Sequence, residues 1–165
     1  MDEKEFPVIK LKEKFAEEIL AEHCFRGDTT VVVRKERIKE ILSFLKNDEQ
    51  LRFNFLMDLT CVDYLGKKSE RFEIVYHLYS LTNNWRIRIK VPVSEEDPTI
   101  DSVTDIWIGA NWFEREVYDM FGIVFKGHPD LRRILLYPEF VGHPLRKDYP
   151  VRKRQPLVGP SDWKE

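Results

Sequence analysis

Glu114, Arg115, Glu116 and Asp119 crowd into one short stretch, EREVYD, and are the first residues whose types and spacing could do chemistry. Glu114 or Glu116 could serve as a general base. Equally, acids in the first turns of a helix complement its dipole, and Arg115 with Asp119 at i, i+4 makes a surface ion pair. A third reading joins the four to the arginines further along the chain in a structural network. No nucleophile, oxyanion donor pair or metal site accompanies them, so catalysis lacks the parts it needs. His128 and His143 each sit in a Gly-His-Pro turn. Two histidines do not make a stable metal site, which needs at least three ligands, so they read as turn residues. The two cysteines, Cys24 and Cys61, read as small core residues of a protein from a reducing compartment. An iron–sulfur cluster takes four thiolates, and this chain cannot supply them.

A second group is basic: Arg132, Arg133, Arg146, Lys147, Arg152, Lys153 and Arg154. Cations of this density could neutralise nucleic-acid phosphates. Asp130, Glu139 and Asp148 interrupt the charge, however, and no aromatic platform of an RNA-binding module accompanies it. A freely solvated tail is the plainest alternative. The apolar inserts Ile134-Leu135-Leu136-Tyr137 and Phe140-Val141 argue against that, because a solvated tail has no use for them. Arginine forks pair bidentately with carboxylates, which makes an acidic groove on another protein the better target. Neither GxGxxG nor GxxxxGK[ST] occurs, so no recognisable device binds a nucleotide.

The elements that must position these groups are legible from periodicity. Leu11, Phe15, Ile19 and Leu20 form an apolar stripe and predict a helix over Leu11 to His23. Thr29 to Arg34 is β-branched and reads as a strand. A helix over Lys35 to Asn47 points Ile38, Ile41, Leu42 and Leu45 inward. Three strands follow, Phe53 to Tyr64, Arg71 to Ser80 and Trp85 to Val93, as an antiparallel meander with one buried and one polar face. Ser94 to Ile100 reads as a connection, and Ser102 to Trp107 as a short helix. Asn111 then opens a helix, with Glu114 at capping-box spacing and Gly122 as its C-terminal stop. Ile123 to Phe125 adds a short edge strand.

Beyond Gly127 the character changes. Six of the nine prolines lie there and leave no room for a helix of useful length, so the segment should run as extended chain with turns. Charge divides at the same place: residues 1–125 carry 18 basic and 24 acidic side chains, or −6, and residues 126–165 carry 9 and 5, or +4. The expected organisation is an α+β domain over residues 1–126 and a basic partner-binding tail over 127–165. With 165 residues, 42% of them hydrophobic, the chain can bury a real core. No apolar run approaches the roughly 18 residues that span a bilayer. The charged N-terminus, MDEKEFPVIKLKEKF, has no signal-like apolar region, and the protein is expected to stay where it is made.

The stretch EREVYDMFGIVFKGHPDLRRILLYPEFVGHPLRKDYP, Glu114 to Pro150, resembles the signature of the thirty-kilodalton subunit of respiratory complex I. The resemblance implies helices packed on a mixed, mainly antiparallel sheet, followed by an extended proline-rich tail. It implies a cofactor-free subunit of the peripheral arm of a proton-translocating NADH:quinone oxidoreductase, with FMN and iron–sulfur clusters in other subunits. Its tail would wrap over the quinone-site large subunit, beside neighbouring iron–sulfur subunits. The chain would then lie at the cytoplasmic face of a bacterial inner membrane, attached only through the complex. Glu114, Arg115, Glu116 and Asp119 would fix the helix against the tail, and Arg132, Arg133, Arg146, Lys147 and Asp148 would dock the partner. His128, Asp130, His143 and Tyr149 complete the partner-binding or structural set. The same domain also resembles an accessory subunit of membrane-bound energy-converting hydrogenases, which stands as the alternative. A nucleic-acid-binding module is the remaining one.

Overall fold

Alternating apolar residues build the centre of the molecule. In the computed structural model, which describes residues 5–155, three long strands form the meander: β3 (Phe55–Asp63), β4 (Phe72–Ser80) and β5 (Trp85–Val93). Phe72, Ile74, Tyr76 and Leu78 of β4 and Ile87, Ile89, Val91 and Val93 of β5 are all buried on one face. Arg86, Arg88 and Lys90 alternate onto the other face, as the period of two requires. β2 (Asp28–Val33) pairs parallel with β5, and β1 (Ile19–Phe25) pairs antiparallel with β2. The sheet order is β1-β2-β5-β4-β3, with one parallel neighbour pair among antiparallel ones.

Helices α1 (Phe6–Phe15), α2 (Ile38–Asn47) and α3 (Ala110–Phe121) add their apolar stripes to the core, and the connections add Leu51, Phe53, Val103 and Ile123. In α2, Ile38, Ile41, Leu42 and Leu45 are fully buried, the stripe expected from their spacing. α3 buries Val117, Met120 and Phe121 and packs on β3. The mixed α+β architecture is therefore the expected one. Gly122 ends α3 in the left-handed region at φ 77°, with its N–H donating to Tyr118 O at 2.8 Å.

Several elements differ from expectation. The helix foreseen over Leu11 to His23 is two elements. α1 starts at Phe6, with Pro7 in its first turn, and ends at Phe15; a short 3₁₀ turn leads into β1. β1 is almost wholly exposed, so its own sequence carried no burial pattern to read. Its pairing is set by a two-residue hairpin turn, Arg26 at φ 53° and Gly27 at φ 85°, which suits the twist of the flanking strands. Ser102 to Trp107 forms turns rather than a helix, and β6 (Thr99–Asp101) lies where a plain connection was expected. β6 pairs parallel with β7 (Val124–Lys126) in a separate two-stranded sheet. The capping box is absent as well. α3 begins at Ala110 behind Gly109, and Glu114 turns inward to accept the N–H of Val103 at 2.7 Å.

Candidate functional site: the arm and its two carboxylate seats

Residues 127–155 contain no helix or strand. They form an arm laid along the outside of α3 and the end of β3, and two buried carboxylates hold it. Pro156 and Pro160 lie outside the described residues.

The first seat is Asp119. It lies on the last turns of α3 with its side chain fully buried. Oδ2 accepts the backbone N–H groups of Ile134 (3.1 Å), Leu135 (2.9 Å) and Leu136 (2.9 Å). Oδ1 accepts Arg133 Nη1 at 2.6 Å. The other Arg133 nitrogen, Nη2, donates to the carbonyls of Phe140 (3.0 Å) and Gly142 (3.3 Å). Burial pushes the Asp119 pKa upward, but the bonds from Leu136, Leu135, Arg133 and Ile134 outweigh it and the net direction is down. One turn back, Arg115 donates to Arg132 O and Arg133 O, both at 3.1 Å, while its guanidinium lies over the Trp112 ring.

The second seat is Asp63, at the end of β3. Arg71 approaches it with two nitrogens, at 3.1 and 2.9 Å, and the arm adds the backbone N–H of Lys147 at 2.8 Å. The same Arg71 reaches Asp148 on the arm at 2.6 Å and also binds the Glu95 carboxylate. Asp63 behaves like Asp119: burial raises its pKa, but the hydrogen bonds from Arg71, Lys147 and Leu65 prevail and lower it.

Between the seats the arm caps α3. The last carbonyls of a helix have no partner inside it. Here His143 Nδ1 donates to Asp119 O (2.9 Å), the Leu145 N–H to Met120 O (3.1 Å) and Arg146 Nε to Phe121 O (2.6 Å). Gly122 makes room for this. A Cβ there would stand 2.6 Å from His143 Nε2 and 2.7 Å from Arg146 Nη2. Tyr149 stacks on Phe140 and closes over Gly142, where a Cβ would meet its ring at 2.8 Å.

The structure thus brings Arg115, Asp119, Arg133, His143, Arg146, Asp148 and Tyr149 into one network. It sends others elsewhere. Glu114 faces the core, fully buried; one oxygen takes Val103 N–H, the other has no hydrogen-bond partner, and burial pushes its pKa up to about 7. Glu116 is exposed. His128 Nε2 donates to Asn111 O at the start of α3, far along the helix from His143, and its Nδ1 accepts Asp130 N–H. Asp130 pairs with Arg132 at the surface (2.9 Å), and Lys147 offers the seat only its backbone. Among the described residues, no three His, Cys, Asp or Glu side chains are grouped to hold a metal ion. Cys24, expected in the core, is instead exposed on the edge strand β1; Cys61 is buried as expected, its thiol pushed up to about 12 by burial.

Asp63 and Arg71 escaped the sequence reading. The signal was there: Leu59, Cys61 and Asp63 share the inward parity of β3, and a carboxylate among core positions needs a partner.

On its outer side the arm exposes Leu135 and Val141, each 62% accessible, with Leu145 and Val151 further along. Leu131 and Leu136 instead pack on the domain core. Among the described residues, no helix is long and apolar enough to cross a membrane.

The sequence of residues 31–155 matches the family described as respiratory-chain NADH dehydrogenase, 30 kDa subunit. The chain is 55% identical over 161 residues to the NADH-quinone oxidoreductase C subunit of Geotalea uraniireducens (strain Rf4), covering 96% of both chains. It is 53% identical over 142 residues to the protein of the same name from Roseiflexus sp. (strain RS-1), covering 86% of this chain and 81% of that one. Two solved structures are similar. One is a trypsin-resistant fragment (1-134) of Nqo5, with TM-score 0.67 and 41% identity, covering 76% of this chain and 99% of the fragment. The other belongs to a membrane-bound sulfane sulfur reductase, an archaeal respiratory membrane complex, with TM-score 0.74 and 28% identity, covering 90% and 86%. The signature, the fold and these likenesses agree, and the chain belongs to the 30 kDa subunit family of respiratory-chain NADH dehydrogenase.

Proposed function

We propose that this chain is a structural subunit, without a redox centre of its own, in the peripheral arm of a proton-translocating NADH:quinone oxidoreductase. FMN and iron–sulfur clusters belong to other subunits. Its task is to hold the quinone-site large subunit in register, beside neighbouring iron–sulfur subunits, through residues 127–165. Attachment to the membrane, at the cytoplasmic face of a bacterial inner membrane, runs through the complex.

One observation carries this reading: the arm exposes Leu135, Val141, Leu145 and Val151 on its outer side and ends in the cations Arg152, Lys153 and Arg154. Apolar side chains displayed along a segment with no regular structure mark a contact surface, and a basic end favours an acidic partner. Arg132 and the Lys147 side chain, both exposed, are the cations best placed to join that contact. The name of the Nqo5 fragment supports a division between a resistant domain and a C-terminal arm.

Affinity purification of the tagged chain from membranes tests the role. The expected co-purifying protein is the quinone-site large subunit. Recovery of the chain alone, or NADH oxidation by the isolated chain, contradicts it. The likeness to the sulfane sulfur reductase chain keeps a second machine in view, an accessory role in a related membrane complex such as an energy-converting hydrogenase. A retrieved large subunit with two CxxC pairs for nickel decides for the hydrogenase.

A further inference from the structure

The turns between β6 and α3 hold one apolar side chain out in water. Ile108 is 89% exposed, although Ile106, Trp107 and Ala110 around it are buried. Its backbone is fixed on both sides. The Val103 N–H donates to buried Glu114 (2.7 Å), the Ala110 N–H to Trp107 O (2.9 Å), and the Lys46 ammonium to the Ile106 carbonyl. Phe55, at the start of β3 and 49% exposed, lines one groove together with Ile108. Trp112, in the first turn of α3 and 62% exposed, lines a second groove on the other side of Ile108. The three make an apolar ridge on the domain itself, outside the arm.

We propose that the ridge of Phe55, Ile108 and Trp112, with Lys46 in its groove, is a second docking surface, which takes a short segment of another subunit bearing an apolar side chain beside an Asp or Glu. The inference rests on the subunit role proposed above and goes beyond it, because it assigns a contact to the folded domain and asks nothing of residues 127–165.

The chemistry of the groove names its occupant. Leu56, Ile106 and Trp107 join Phe55 and Ile108 in its lining, so an apolar side chain fits there. The lining carries two charged residues, and they differ. Asp105 is matched by Lys39 at 2.7 Å, whereas Lys46 meets no carboxylate among the described residues. A half-buried ammonium without a counter-charge favours an acid brought by the partner. Trp112 adds the kind of large, flat side chain that anchors protein contacts. Because the turn is already held, its backbone loses little conformational freedom on binding.

Thiol labelling in the assembled enzyme tests the inference. With Cys24→Ser removing the exposed thiol and Cys61 buried, Ile108→Cys supplies the one reactive site. It should react with a maleimide at least about tenfold more slowly in the membrane-bound complex than in the isolated full chain. Adding Lys46→Gln should speed that labelling in the complex at least about threefold, and adding Lys46→Arg should leave it slow. Should Ile108→Cys yield no complex while the isolated variant keeps the parent's urea midpoint, the surface is shown to be needed for assembly. A diazirine-bearing apolar amino acid in place of Ile108, photolysed in the complex, identifies the occupant. The expected product joins it to another subunit, at a peptide with an Asp or Glu beside the linked residue. Linkage to lipid, to a second copy of this chain or to a segment without a carboxylate overturns the proposal. Equal labelling of Ile108→Cys in the complex and the isolated chain refutes the ridge alone. A chain that retrieves no other subunit refutes the subunit role, and this surface with it.

Discussion

Gly122 and Gly127 have nearly the same backbone, φ 77° and φ 81°, and differ in what a side chain would meet. At Gly127 a Cβ finds nothing within 4 Å. Gly127→Ala should therefore cost only the left-handed strain of an L-residue, about 1–2 kcal/mol. At Gly122 the same strain applies, and the Cβ lies 2.6 Å from His143 Nε2 and 2.7 Å from Arg146 Nη2. Both are ends of flexible side chains and could swing away. Doing so breaks the bonds to Asp119 O and Phe121 O, and each lost bond costs about 1–3 kcal/mol where the carbonyl is shielded from water. The sum places Gly122→Ala about 2–4 kcal/mol below Gly127→Ala once partial rearrangement is allowed for. Urea denaturation of the two purified variants beside the parent chain measures this. Unfolding free energies for Gly122→Ala and Gly127→Ala that agree within about 0.5 kcal/mol would falsify the arm's seat on the end of α3.

Three further outcomes follow from buried groups. Glu114, raised to about 7 by burial, keeps its proton in the folded chain at pH values where the unfolded chain has lost it. Its contribution is full below the ordinary glutamate range and lost as pH rises through about 7, a change of about 3 kcal/mol, and Glu114→Gln should flatten stability–pH curves across that window. Asp63 and Asp119 titrate below their ordinary range, so what they contribute is present above that range and lost as pH falls through their folded values. Arm amides such as those of Leu135 and Lys147 should lose hydrogen-exchange protection in acid before the β4 amides do, and simultaneous loss would contradict this. Cys24, exposed, should react with a maleimide within minutes, while Cys61, buried and raised to about 12, reacts only on unfolding; equal rates would contradict its placement.

The sheet and α2 were legible because each buries one face, and periodicity reports burial. Phe72, Ile74, Tyr76 and Leu78 alternate and are all buried; Ile38, Ile41, Leu42 and Leu45 recur at helical spacing and are fully buried. β1 was misread for the same reason inverted. An exposed edge strand has no face to bury, so Ile19 and Leu20 looked like the continuation of the α1 stripe that Leu11 and Phe15 begin. The short β6 was missed because its partner, β7, lies more than twenty residues on, and no local pattern announces a parallel pairing.

The arm shows a different boundary. Its prolines foretold extended chain, and its residues announced a special role. What sequence alone could not assign was the direction each residue faces. Arg133 and Arg132 are neighbours of identical type, yet the first is clasped by Asp119 and the second pairs with Asp130 at the surface. Asp63 and Arg71 complete the second seat from the meander, about eighty residues before Lys147 in the chain, and only the folded sheet brings them to the arm.

The proposed function has this subunit position a partner and perform no electron transfer. Arg133→Ala in the membrane-bound enzyme tests it most directly, with the amount of assembled complex and the NADH:quinone turnover of each complex measured on the same membranes. Removing one member of a largely buried pair costs about 3–5 kcal/mol, enough to release the arm from Asp119. Less assembled complex with undiminished turnover in each is the expected result. Normal assembly with turnover lost would contradict it.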